Sequence, residues 1–176
     1  MHWIVGLDLR THSLGALRFA DWLRKRAEGH AVTGVHVVEM LPATMVENVG
    51  DGDFADWALA EAERWMSELE GTGQLREIEA IEATAAEDGL EAAISQGRGD
   101  ALILGRRAPR TGRRLVRLGR VARRITRTLP GPVVIVPPDL GVQDIGDGPV
   151  LLATDLSSDS VEAARFIASS WMGRRL

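Results

Sequence analysis

Apolar positions along the chain fall into short runs separated by stretches with helical spacing. Trp3–Asp8 (WIVGLD) is a compact apolar run ending on an acid. From Ser13 to Ala27, residues Ala16, Phe19, Ala20, Leu23 and Ala27 recur on one helical face. Val32–Met40 (VTGVHVVEM) is apolar and β-branched, the composition of a strand buried on both faces. Phe54–Leu69 returns to helical spacing through Trp57, Ala58, Ala62, Trp65, Met66 and Leu69. Leu75–Ala83 partly alternates acid with apolar, which predicts an edge strand. Leu90–Gln96 predicts a short helix and Asp100–Gly105 (DALILG) a core strand. A further helix ends near Leu129, closed by Pro130–Gly131–Pro132, because proline cannot continue the hydrogen-bond ladder. Val133–Val136 (VVIV) is the fifth strand.

Strands separated by helices of this length predict a parallel α/β sheet with right-handed crossovers and helices on both faces. Ligands of such sheets lie beyond the carboxyl ends of the strands, where the strand order reverses. Those ends here are Asp8, Val37–Val38 and Leu104–Gly105. After the fifth strand, PPDLGVQDIGDGP reads as a linker. Residues 151–166 (LLATDLSSDSVEAARF) then repeat residues 4–19 (IVGLDLRTHSLGALRF) without a gap. Asp8/Asp155, Leu9/Leu156, Ser13/Ser160, Ala16/Ala163, Arg18/Arg165 and Phe19/Phe166 coincide, each set at a strand-to-helix junction. The expected organisation is a complete domain over 1–138, a linker over 139–148, and over 149–176 the start of a second, incomplete copy. Val150–Ala153 would be its strand and Val161–Trp171 its helix. Lacking partner strands, this tail is expected to pack on another subunit or to be disordered.

Composition narrows the class. Of 176 residues, 45% are hydrophobic and 26% charged, which suits a globular protein with one good core. No apolar run is long enough to span a bilayer, and the N-terminus lacks the pattern of a secretory signal. The absence of cysteine excludes disulfides and thiol chemistry and fits a cytoplasmic location. The net charge of −4 hides a segregation: Glu39 to Glu91 is strongly acidic, whereas Leu104–Arg127 holds ten arginines and no acid. A protein acidic overall, with no aromatics between those arginines, is a poor candidate for binding nucleic acid. The arginines are expected to answer the chain's own glutamates or those of a second copy.

The ordered set IVGLD with the Ser13 helix, VHVVE, DALILG, the glycine-spaced stretch to Gly119 and PVVIV resembles the universal stress protein family over residues 2–138. The tail resembles the opening of a tandem member cut short. The resemblance implies a Rossmann-like five-stranded parallel sheet of order 3-2-1-4-5, and homodimers formed largely through the fifth strand. Some members bind ATP, with at most slow hydrolysis and no metal site of the protein's own. In those, the first-strand acid and the end of the second strand hold adenosine, and a loop of pattern G-x2-G-x9-G-[S/T] holds phosphates. Carried over residue by residue, Asp8, Val37, Leu104 and Gly105 would surround adenosine, and Arg107, Ala108, Gly119, Arg120 and Val121 would lie near phosphates. The loop departs from the family pattern. Ala108 replaces the second glycine, Arg120 replaces the hydroxyl residue, and the spacing to Gly119 is one residue too long.

Three roles for the arginines stay open. If a helix runs from Arg113, then Leu115, Leu118, Ala122, Ile125 and Leu129 form its apolar stripe, and Arg113, Arg117, Arg120, Arg124 and Arg127 face water. A later start near Gly119 would leave residues 109–118 as a loop. Alternatively, Arg107, Arg110 and Arg120 replace the missing amide and hydroxyl as guanidinium forks for an anion. The third role is direct contact with nucleic acid.

The remaining candidates read as structural. Asp8 and Asp155 either brace their loops or touch a ligand. Asp159 and Glu162 form a D-x-x-E capping box, and Ser13 reads as a helix start. His36 reads as a hydrogen-bonded core residue, and His2, His12 and His30 share no metal-binding spacing. The tryptophans read mostly as core. No catalytic constellation is present in the sequence. The expected function is a non-catalytic, ATP-responsive binding module of stress adaptation; the alternative is a ligand-free dimerisation or interaction module whose arginine face docks on an acidic partner.

Overall fold

The computed structural model describes residues 1–26, 29–40, 51–107, 118–145, 151 and 153–171. Five strands, β1 (His2–Gly6), β2 (Ala31–Glu39), β3 (Glu77–Ala83), β4 (Ala101–Gly105) and β5 (Val133–Val136), form one parallel sheet of order β3-β2-β1-β4-β5. Helices α1 (Leu14–Arg26), α2 (Asp51–Glu68), α3 (Ala86–Ser95) and α4 (Arg120–Thr128) make the crossovers. This is the architecture and strand order that the sequence predicts.

Alternation along β1 divides the core. Trp3 and Val5 point to a layer built with Ala16, Leu17 and Leu23 of α1 and Ala62 and Met66 of α2. Ile4 points the other way, to Leu90 and Ala93 of α3 and Ala122 and Ile125 of α4. The central strands β1 and β4 are buried almost throughout, as apolar runs of their kind must be when both faces carry helices.

Several boundaries differ from those expected. β1 stops at Gly6, so Asp8 stands on the loop beyond it. α3 begins at Ala86 rather than Leu90, with Glu39 Oε1 accepting from the Ala86 N–H at 2.9 Å and satisfying one of its first amides. α4 takes the later of the two starts considered; Arg110 and Arg113 lie outside the described residues, as does Ala108. Trp57 and Trp65 are not core: on α2 they are 59% and 52% exposed, flanking the buried stripe of Ala62 and Met66.

The two aligned segments share a backbone feature. Among the described residues, the only non-glycine positions with positive φ are Leu9 (55°) and Leu156 (64°), which the sequence alignment pairs. The carboxylate of Asp8 accepts from the N–H of Arg10, and that of Asp155 from the N–H of Ser157, each at 3.0 Å. The following helix, α5 (Ser158–Trp171), starts three residues earlier than expected. Ser157, rather than Asp159, caps it, its Oγ accepting from the Ser160 N–H at 3.3 Å. Leu151, Ala153 and Thr154 take no strand conformation, having no strand among the described residues to pair with. α5 nonetheless docks on its own chain: Phe166 meets Trp3 edge to face at 5.6 Å between ring centroids.

Candidate functional site

Between β1 and β4 the strand order reverses, and a cleft of about 630 Å³ opens over their carboxyl ends. Its position follows from the connections: one crossover leaves β1 toward β2, the other leaves β4 toward β5, and the chain diverges between them. Gly6 and Gly105 lie at its floor, and Val35, Val37, Leu90 and Leu104 supply apolar wall. Gly105 is sterically required, because a Cβ there would stand 2.3 Å from the carbonyl oxygen of His12.

Asp8 organises one side. Its Oδ1 accepts from Ser13 Oγ at 2.7 Å and from the Arg10 N–H, and Ser13 Oγ in turn accepts from the Asp8 N–H at 2.9 Å. His12 Nδ1 lies 3.1 Å from Asp8 Oδ2. The carboxylate braces its own loop through buried Ser13 and still leaves the rest of its surface on the cleft. At the aligned position in the tail, the hydroxyl and backbone N–H of Ser157, then the hydroxyl of Ser160, hold Asp155 below the usual carboxylate range. His36 Nδ1 donates to the Leu7 carbonyl at 2.7 Å, the satisfied histidine expected from the sequence, yet its ring also lines the cleft.

The opposite side is the amino end of α4. Gly119 occupies the N-cap with φ −64° and offers no side-chain cap. Neither its φ nor its packing among the described residues calls for glycine, since a Cβ there would meet none of them within 4 Å. The first amides of α4 therefore have no side-chain cap at Gly119, beside the cleft lining of Gly119, Arg120 and Val121. Arg120 is not a free guanidinium. Its Nη2 lies 2.9 Å from Glu39 Oε1 and 3.7 Å from Glu87 Oε2. Arg124 joins Glu87 at 3.1 Å and Asp88 at 3.0 Å. These arginines answer the chain's own acids, one of the outcomes expected from the charge segregation.

The residues singled out from the sequence thus come together. Asp8, Val37, Leu104, Gly105, Arg107, Gly119, Arg120 and Val121 all line the one cleft, and Ala108 lies outside the described residues. Sequence reasoning missed Arg10, His12, Glu39 and Leu90. A signal existed for Glu39, an acid ending the second strand just as Asp8 follows the first, but nothing in the sequence places it against Arg120.

Comparison with known proteins agrees with this architecture. A universal stress protein family member from Burkholderia pseudomallei matches at 20% identity and a TM-score of 0.52, over 77% of this chain and 95% of its own. The universal stress protein UspA from Lactobacillus plantarum matches at 16% identity and a TM-score of 0.52, over 77% and 97%. These likenesses speak to the fold. No curated protein sequence matches the chain closely enough to count as a relative. The model of the universal stress protein family matches residues 1–137, so a sheet of this order, with its cleft over β1 and β4, is carried by a chain that belongs to that family.

Proposed function

We propose that the chain is a non-catalytic, nucleotide-responsive binding module, with adenosine seated between Asp8, Val37, Leu104 and Gly105 and phosphate directed to the amino end of α4 near Arg107, Gly119 and Arg120. The observation that carries this is Gly119. Among the described residues, neither backbone nor packing requires a glycine there, a Cβ would meet nothing within 4 Å, and no side chain caps the N-cap position. Helix amino ends of this kind suit anionic groups. The valine and leucine walls suit a purine face, and Asp8 supplies an acceptor for a sugar hydroxyl. ATP at millimolar concentration is expected to raise the melting temperature of the purified protein, as any ligand of the folded state alone must. An unchanged melting temperature would overturn the reading.

The rival reading, a ligand-free interaction module, draws on the engagement of Arg120 by Glu39 and on Arg123 and Arg127, which stand exposed on α4. It expects self- or partner-association that weakens strongly with salt and ignores ATP. In either case we place the homodimer contact at β5, an edge strand of the sheet.

A further inference from the structure

The cleft contains a cation that is already held. Arg120 stands at the start of α4 between two carboxylates, Glu39 at 2.9 Å and Glu87 at 3.7 Å. The Glu39 oxygen that receives Arg120 also accepts from the Ala86 N–H at 2.9 Å, so the end of β2 and the starts of α3 and α4 meet at one atom. Glu87 is 2% exposed, bound to Arg124 through Oε1, while its Oε2 has no hydrogen-bond partner among the described residues. That orphaned oxygen faces Arg120 and can retain one N–H of its fork if the others turn elsewhere. On the same rim, the Arg10 and Arg107 side chains have no carboxylate partner among the described residues.

We propose that Glu39 sets the charge of the ligand that this cleft accepts, acting through Arg120 as a built-in competitor for phosphate. The inference rests on the nucleotide reading and deepens it. A phosphate group at the amino end of α4 must enter beside the Glu39 carboxylate and draw Arg120 away from it. A nucleoside does neither. Like charges oppose one another and the guanidinium cannot give its full charge to both, so Glu39 disfavours each added phosphate relative to the nucleoside. The loop departure at this position is thereby given a consequence: arginine in place of a hydroxyl residue does not compensate for the lost donor while Glu39 holds it.

Glu39→Gln separates this role from a structural one, because the amide keeps an oxygen for the Ala86 N–H and removes only the charge. Binding of adenosine and of ATP is measured by calorimetry for the wild type, E39Q, R120A and the double variant. The expected result is a rise of about fivefold in the ATP-to-adenosine affinity ratio for E39Q, the scale of one partly exposed ion pair. That rise should be much smaller when Arg120 is also absent, because only the direct repulsion is then relieved. An unchanged ratio with adenosine still bound, or a rise undiminished in the double variant, overturns the action of Glu39 through Arg120 and leaves the nucleotide reading standing. Binding of neither compound by any of the proteins overturns both.

Discussion

Gly105 shows how closely the cleft floor is drawn at the scale of one residue. Its Cα faces the His12 carbonyl so nearly that a methyl group would stand 2.3 Å from that oxygen. His12 belongs to the one-turn helix that leads into α1 and its ring reaches Asp8, so any relief must move the loop that Asp8 braces. Gly105→Ala is expected to cost about 1–3 kcal/mol in chemical denaturation and to weaken ligand binding besides. Gly119→Ala, by contrast, meets nothing among the described residues. The two glycines looked alike in the sequence, both framing the arginine stretch. Packing and open space separate them, and neither is written in local composition. Trp57 and Trp65 teach the same lesson from the other side: helical spacing registers a tryptophan as apolar, but only the angle of α2 on the sheet decides whether the ring is covered.

At the scale of elements, the strands were legible because parallel strands buried on both faces leave unbroken apolar runs; Val133–Val136 needed no adjustment. Helix starts were less so. α3 opens at Ala86, four residues before its expected start, since its first-turn partner, Glu39, comes from 47 positions earlier in the chain. The α3–α4 contact is long-range too, and it gives the arginines their partners. Arg124 is the sole hydrogen-bonded partner of buried Glu87 among the described residues, and it reaches Asp88 as well. Arg124→Ala leaves a buried carboxylate with only Arg120 at 3.7 Å. Because Arg124 is itself half exposed, the expected loss is about 1–3 kcal/mol, below the cost of breaking a fully buried pair. Adding Glu87→Gln should recover part of it, since the stranded charge is then gone. Additive losses in the two variants, measured by urea unfolding, would show that the pair is not what joins these helices.

The described residues form one five-stranded sheet with an appended turn and helix, and the appended part repeats the geometry of the first turn. A left-handed leucine costs roughly 1 kcal/mol wherever it occurs, so its reappearance at Leu156 shows that the local sequence, rather than the surrounding sheet, dictates the turn. We read residues 149–176 accordingly as the opening of a second domain. Leu151, Ala153 and Thr154, the described residues before that turn, take no strand conformation, because a strand, unlike this turn, is made by its neighbours. What α5 finds instead is the amino end of β1, at the opposite end of that strand from the cleft, where Phe166 covers Trp3 and His30 accepts the Trp3 indole N–H at 2.7 Å. Trp3 is fully buried, so removing Phe166 uncovers part of its apolar surface. Phe166→Ala is expected to lower stability by about 1–2 kcal/mol, from the lost area and the lost edge-to-face contact. Val161→Ala, on the exposed side of the same helix, should change it by less than about 0.5 kcal/mol. Equal unfolding midpoints for the wild type and Phe166→Ala would mean that the helix does not dock within its own chain, and the contact would then have to be sought in a second copy, by comparing the light-scattering mass of the full chain with that of a chain ending at 148.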